Sequence, residues 1–144
     1  MQSYRMSAAY LGADAMPSRS TGRKIVILVE RDADSREHHQ RALVESGYEV
    51  LCFPDYVGAL NEAESDRRLD LLITEIHLPA GTPHGLALAA MMQLRRPLLR
   101  VMFVTDTQDL SRLADERSSI LLRPFPASRL VEAVDGLIGK PDIV

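Results

Sequence analysis

From Lys24 onward the chain alternates short apolar runs with longer stretches whose apolar residues recur every three or four positions. The runs KIVILVE (24–30), YEVLCF (48–53), LDLLITEI (69–76), LLRVMFVT (98–105) and SILL (119–122) read as strands. Residues 33–46, Asp55 to about Arg67, Gly85 to Arg96, Gln108 to Glu116 and Ala127 to Ile138 read as helices. Gly47 and Gly139 close the first and last of these, Pro97 follows the third, and Pro54 stops the second strand.

Strands alternating with helices in this way predict a parallel sheet covered on both faces. Three of the five strands are continuous apolar runs, as burial on both faces requires. The right-handed crossover rule leaves few arrangements. The expected fold is therefore α/β and flavodoxin-like: a (βα)5 doubly wound, five-stranded parallel sheet in the order 2-1-3-4-5. In such a sheet the working site lies beyond the carboxyl ends of the strands, at the switch point between strands 1 and 3. That rule selects Glu30, Arg31 and Asp32 after strand 1, Glu75 ending strand 3, Thr105 and Asp106 ending strand 4, and Arg123 and Pro124 after strand 5. Each alone reads as a solvated loop charge; their placement together at four strand ends points to a site.

Composition narrows the class. The chain of 144 residues is 46% hydrophobic and 26% charged, which suits one soluble domain with a sizeable core. A net charge of −3 is too mild to draw nucleic acid. No apolar run approaches the roughly 18 residues of a membrane span. The single Cys52 excludes an internal disulfide and fits a cytoplasmic setting, and no CxxC or CxxH spacing suggests zinc. Residues 1–23 lack both a sustained period and the apolar core of a signal peptide, and are expected to form a flexible tail or a segment that orders on a partner. The folded domain is expected over 24–139, with a short tail at 140–144.

ILVERD at the end of strand 1, DLLITEIHLP followed by Gly85-Leu86, FVT ending strand 4 and LLRPF ending strand 5 stand at familiar spacings. With GYEV after the first helix, they make the chain resemble the CheY-like receiver domains of bacterial two-component response regulators, over about Arg23 to Leu137. The resemblance implies phosphoryl transfer from a histidine kinase to an aspartate ending strand 3. Two acidic residues after strand 1 would hold Mg²⁺, and a strand 4 hydroxyl and a strand 5 lysine would grip the phosphoryl group.

The chain departs from that pattern at nearly every chemical position. The phosphoacceptor position is Glu75, the second acidic position is Arg31 with Asp32 one place further on, and the lysine position is Arg123. Ile120 replaces the aromatic often found three residues before the lysine; only Thr105 is as expected. Glutamate reaches about 1.5 Å further than aspartate, and a misplacement of about 1 Å can cost about a hundredfold in rate. Arg31 brings positive charge where Mg²⁺ needs oxygen. The expectation is an atypical stand-alone receiver that needs neither cofactor nor phosphorylation, with Glu75 held by Arg31, Arg123 or both. Erosion of the site and rescue of Mg²⁺ binding by Asp32 or Asp106 are the competing readings. Phosphorylation through the altered site is a further alternative. From another class comes a small enzyme using Glu75 as general base, though no phosphate-cradling glycine loop is present.

Of His38 and His39 in the first helix, one is expected to lie half-buried against the sheet; His77 and His84 flank the loop after strand 3. The face formed by the fourth predicted helix, the fifth strand and the fifth helix is where receivers usually meet partners or form homodimers. It includes Leu110, Leu113, Arg117, Ile120, Arg129 and Val131. With Val144 following the last helix, no DNA-binding helices are expected. Output would pass through contact with a protein, such as a sensor kinase or another regulator.

Overall fold

The computed structural model describes residues 22–77, 84–106, 115 and 117–141. In chain order these form β1 (Ile25–Val29), α1 (Ala33–Glu45), β2 (Glu49–Phe53), α2 (Tyr56–Ala63) and β3 (Leu71–Glu75). α3 (Gly85–Arg95), β4 (Arg100–Thr105), β5 (Ser118–Leu122) and α4 (Ala127–Ile138) follow. The strands pair in parallel in the order β2-β1-β3-β4-β5, as the alternating pattern predicts. α4 is the last helix expected from sequence. The stretch expected as a fourth helix, Gln108 to Glu116, lies outside the described residues apart from Asp115, which is held in an isolated bridge with Ser118. The expected N-terminal tail also lies outside them up to residue 21, as do residues 142–144.

The apolar runs are long because both faces of the sheet are covered. All five residues of β1 are buried. Alternate positions go to opposite sides, since successive side chains of a strand point to opposite faces. Ile25, Ile27, Val29, Leu72, Val101 and Phe103 pack with Ala59 and Ala63 of α2 and Leu88, Ala89 and Met92 of α3. Val26, Leu28, Leu71, Ile73, Met102 and Val104 pack with Leu43 of α1 and Leu130 and Val134 of α4. The edge strand β2 is only half-buried throughout.

Long-range polar contacts set boundaries that local pattern misses. α2 ends at Ala63 rather than near Arg67. There Ser65 donates to the Glu62 carbonyl (2.7 Å) and accepts from the Arg67 N–H (3.2 Å), so its hydroxyl competes with helical bonding. Arg96, from beyond α3, donates to the carbonyls of Ala63, Ser65 and Arg67 and fixes the turn. Gly47, at φ +107°, takes the left-handed conformation that ends α1.

Tyr48 is not the first residue of β2 but a buried anchor before it. Its hydroxyl donates to Asp135 Oδ1 (2.5 Å) and lies 3.0 Å from the Gly139 carbonyl, joining the start of β2 to the end of α4. Burial, and then the Asp135 carboxylate, raise the pKa of this phenol. A hydrogen bond to a charged acceptor contributes about 1.5–3 kcal/mol. Tyr48→Phe is therefore expected to lower the unfolding free energy by about 1–2 kcal/mol, measured by urea titration.

Candidate functional site

The register brings the chemical residues to one edge. Val29 pairs with both Phe53 and Thr74, Glu75 with Val104, and Thr105 with Leu122. Glu30, Glu75, Thr105 and Arg123 therefore stand at or just past the carboxyl ends of β1, β3, β4 and β5. The backbone holds each in place. The Glu30 N–H donates to Phe53 O (3.0 Å), the Glu30 carbonyl accepts from Arg36 Nη1 (2.9 Å), and the Arg123 N–H donates to Thr105 O (2.9 Å). Gly85 passes so close to the Glu75 carbonyl that a Cβ there would collide with it, so only glycine lets α3 start at this point.

The centre of the site is the pair formed by Arg123 Nη2 and Glu75 Oε2, a direct charge-assisted hydrogen bond. Arg123 also faces Glu30 Oε2 at 3.9 Å and Asp106 Oδ1 at 3.6 Å. Glu30 is almost fully buried and Glu75 nearly so, while Asp106 is exposed. Burial works against the charge on Arg123. The hydrogen bond and charge of Glu75, followed by the charges of Glu30 and Asp106, outweigh it and raise its pKa above the usual value. Thr105 is buried at the end of β4.

Of the two arginines expected near Glu75, only Arg123 reaches it. Arg31 is exposed and makes no ion pair among the described residues. Asp32 serves a different purpose: it is the N-cap of α1, its carboxylate accepting the Ser35 N–H at 2.8 Å. That backbone bond, then the Ser35 side chain and the charge of Arg36, hold its pKa below the usual value against slight desolvation. His84 caps α3 in a similar position, and its ring lies edge-on to that of His77 at 5.3 Å.

Mg²⁺ takes near-octahedral oxygens at about 2.0–2.1 Å. Here Glu30 and Glu75 surround a guanidinium, and Asp32 is committed to its helix. Among the described residues no three acidic, histidine or cysteine side chains converge to hold a metal ion. The donor set does not fit Mg²⁺.

His39 belongs to the site, where the sequence placed only one or other of His38 and His39 half-buried against the sheet. Its Nδ1 is 3.7 Å from Glu30 Oε1, and its ring stacks on Phe125 with centroids 5.3 Å apart. It is the half-buried member of the histidine pair; His38 is exposed. A usable signal was present, because His39 lies four residues before the buried Leu43 and so on the same face of α1.

The residues expected on the partner face fall into three groups. Arg117 and Arg129 are exposed, with Arg117 donating to the Pro97 carbonyl. Ile120 is half-buried against the core layer under α2 and α3, and Val131 against the opposite layer. Leu110 and Leu113 lie outside the described residues. An open groove of about 560 Å³ runs between the end of β5 and α4, lined by Ile120, Leu122, Phe125, Ser128, Arg129 and Glu132.

A five-stranded parallel sheet in this order, with two carboxylates, a hydroxyl and a basic residue at its strand ends, defines the class of signalling receivers. The model of the response regulator receiver domain matches residues 26–135, and the chain belongs to that family. It is thus a receiver domain of two-component signalling, a module whose partners are proteins. Its structure is similar to a response regulator receiver protein from Sinorhizobium medicae (TM-score 0.72, 20% identity, covering 83% of this chain and 97% of that one). It is also similar to the chemotaxis protein CheY4 of Vibrio cholerae (TM-score 0.66, 22% identity, 80% and 98%). The receiver domain of the hybrid histidine kinase CckA is 27% identical (TM-score 0.67, 79% and 98%). No curated protein matches the chain. Among the described residues no helix is long and apolar enough to cross a membrane.

Proposed function

We propose that this receiver signals by protein contact without being phosphorylated, its pocket held in one state by the Glu75–Arg123 pair. The observation that carries this reading is the direct hydrogen bond from Arg123 Nη2 to Glu75 Oε2. The guanidinium holds Glu75 Oε2 and draws on the charge of the carboxylate, which lowers its nucleophilicity and fixes its orientation. The cation stands where a metal and a lysine would otherwise neutralise the incoming phosphoryl oxygens. Fixed charges thus replace a charge that a kinase would add. The same engagement argues against Glu75 as the general base of an enzyme.

The output surface is the groove beside β5 and α4, which Arg123 joins through Pro124 and Phe125. The partner is a protein, such as a sensor kinase or a second regulator, met in the cytoplasm. Incubation with a small phosphodonor and Mg²⁺ is expected to leave the intact mass of the protein unchanged. A phosphoryl adduct on the wild-type chain that disappears in Glu75→Ala overturns the proposal.

A further inference from the structure

The two most exposed large apolar side chains among the described residues are Leu94 (81%) and Leu98 (86%), on either side of the turn between α3 and β4. One exposed leucine is ordinary on a protein surface; two beside each other on a helix without charge are not. From Gly85 to Leu94, α3 carries no charged residue, yet Leu86, Ala90 and Leu94 are all exposed. Spaced four residues apart, they form one stripe along the helix. A helix apolar on every side is expected to be covered on every side. The sheet and α2 cover the face of Leu88, Ala89 and Met92, and nothing among the described residues covers the other.

The exposed leucines stand on a fixed turn. The Arg96 N–H donates to Met92 O (2.8 Å), the Leu99 N–H to Arg96 O (3.0 Å), and Gln93 Nε2 to Leu99 O (2.9 Å). Side chains held in place in this way lose little freedom on association. The guanidinium of Arg96 is engaged by the carbonyls of Ala63, Ser65 and Arg67, and that of Arg117 by the Pro97 carbonyl.

The charges beside the leucines identify the occupant. Arg95, in the last turn of α3, pairs with Glu64, the C-cap of α2, and both side chains are 57% exposed. An anionic partner would be drawn by Arg95 and repelled by Glu64, and a cationic one the reverse. A copy of the same surface, rotated about a two-fold axis at the turn, sets each Arg95 against the other copy's Glu64.

We propose that the chain forms a two-fold homodimer through the outer face of α3 and the turn before β4, with Leu94 and Leu98 at its centre and Arg95 and Glu64 paired across its rim. This is a different face from the one where the sequence led us to expect homodimers, and it leaves the groove beside β5 and α4 open to another protein. It lies at the amino end of the sheet, away from Glu75 and Arg123, so it does not depend on the state of the pocket.

Sedimentation velocity of the full chain is expected to show a monomer–dimer equilibrium with a Kd on the order of tens of micromolar, as suits a small interface. Leu94→Glu and Leu98→Glu should each remove the dimer while circular dichroism and the urea midpoint stay as in the wild type. Arg95→Glu and Glu64→Arg should each weaken it by about tenfold, because like charges then meet on both sides of the axis. Mixed in equal amounts, these two variants should form a heterodimer as tight as the wild-type dimer, each supplying the sign the other lacks. Arg129→Glu, on the β5–α4 face, should leave the equilibrium unchanged. The proposal is overturned by a wild-type chain that stays monomeric at about 0.5 mM, or by a dimer that survives Leu94→Glu or is lost in Arg129→Glu. A mixture no more associated than either variant alone overturns it as well.

Discussion

Arg123→Met is expected to lower the unfolding free energy by about 2–3 kcal/mol in urea at neutral pH, and Glu75→Gln by about 1 kcal/mol. The asymmetry follows from what each change leaves behind. Without Arg123, Glu30 and Glu75 remain nearly buried with no guanidinium between them. Breaking a buried pair from one side costs about 3–5 kcal/mol, but Arg123 is 31% exposed, so water screens part of the loss. Without the Glu75 charge, Arg123 keeps Glu30 and Asp106, and the glutamine oxygen still accepts its hydrogen bond. The double variant should cost less than the sum of the two, since the charge stranded by one substitution is removed by the other. Arg123→Lys should restore only part of the loss, because an ammonium cannot span carboxylates on three strand ends as a planar guanidinium does. A cost for Arg123→Met within about 0.5 kcal/mol of zero would reduce the pair to an ordinary surface contact.

Much of this architecture was legible in the sequence, for a physical reason. A sheet covered on both faces needs strands that are apolar nearly throughout, and Ile25–Val29 and Leu71–Ile73 satisfy this with every side chain buried. Once the strands are known, chain order and crossover handedness place Glu30, Glu75, Thr105 and Arg123 on one edge. What could not be read is which of two nearby arginines holds the carboxylate. Arg31 and Arg123 are equivalent in charge and reach. They differ in backbone setting: Arg31 sits in an exposed link to α1, whose first turn takes Asp32 as its cap, while Arg123 is tethered to Thr105 by a sheet hydrogen bond. The end of α2 was missed for a similar reason, since Arg96, far along the chain, decides it. Ile120, expected on the partner face, is half-buried: it packs against the layer under α2 and α3 and also lines the groove beside β5 and α4.

On the reading proposed above, phosphorylation should require changing three residues together. Glu75→Asp withdraws the carboxylate by about 1.5 Å, away from Arg123 and back to the reach an aspartyl acceptor has in the receivers this chain resembles. Alone it creates no metal site, because Arg31 still places a cation where an oxygen ligand is needed. Arg31→Asp supplies that oxygen beside Glu30, but while Glu75 stays paired with Arg123 its carboxylate is held by the guanidinium and is a weaker nucleophile. Arg123→Lys replaces the fork by a compact ammonium that can bind a phosphoryl oxygen without spanning the pocket. Only the combined Glu75→Asp, Arg31→Asp, Arg123→Lys chain is therefore expected to attack a small phosphodonor. In that step an aspartate oxygen would bond to phosphorus as the donor's leaving group departs; Glu30 and the new carboxylates at positions 31 and 75 would hold Mg²⁺, which with the new lysine would supply positive charge for the phosphoryl oxygens. Its rate of acyl phosphate formation should exceed that of any single variant by at least about a hundredfold and vanish when Mg²⁺ is chelated. Equal labelling of Glu75→Asp alone would mean that the arginines do not block the chemistry, and that chain length at position 75 does. A folded triple variant that neither binds Mg²⁺ nor accepts phosphate would place the cause outside these three side chains. The pocket would then be one whose backbone, and not only whose charges, has moved away from phosphoryl transfer.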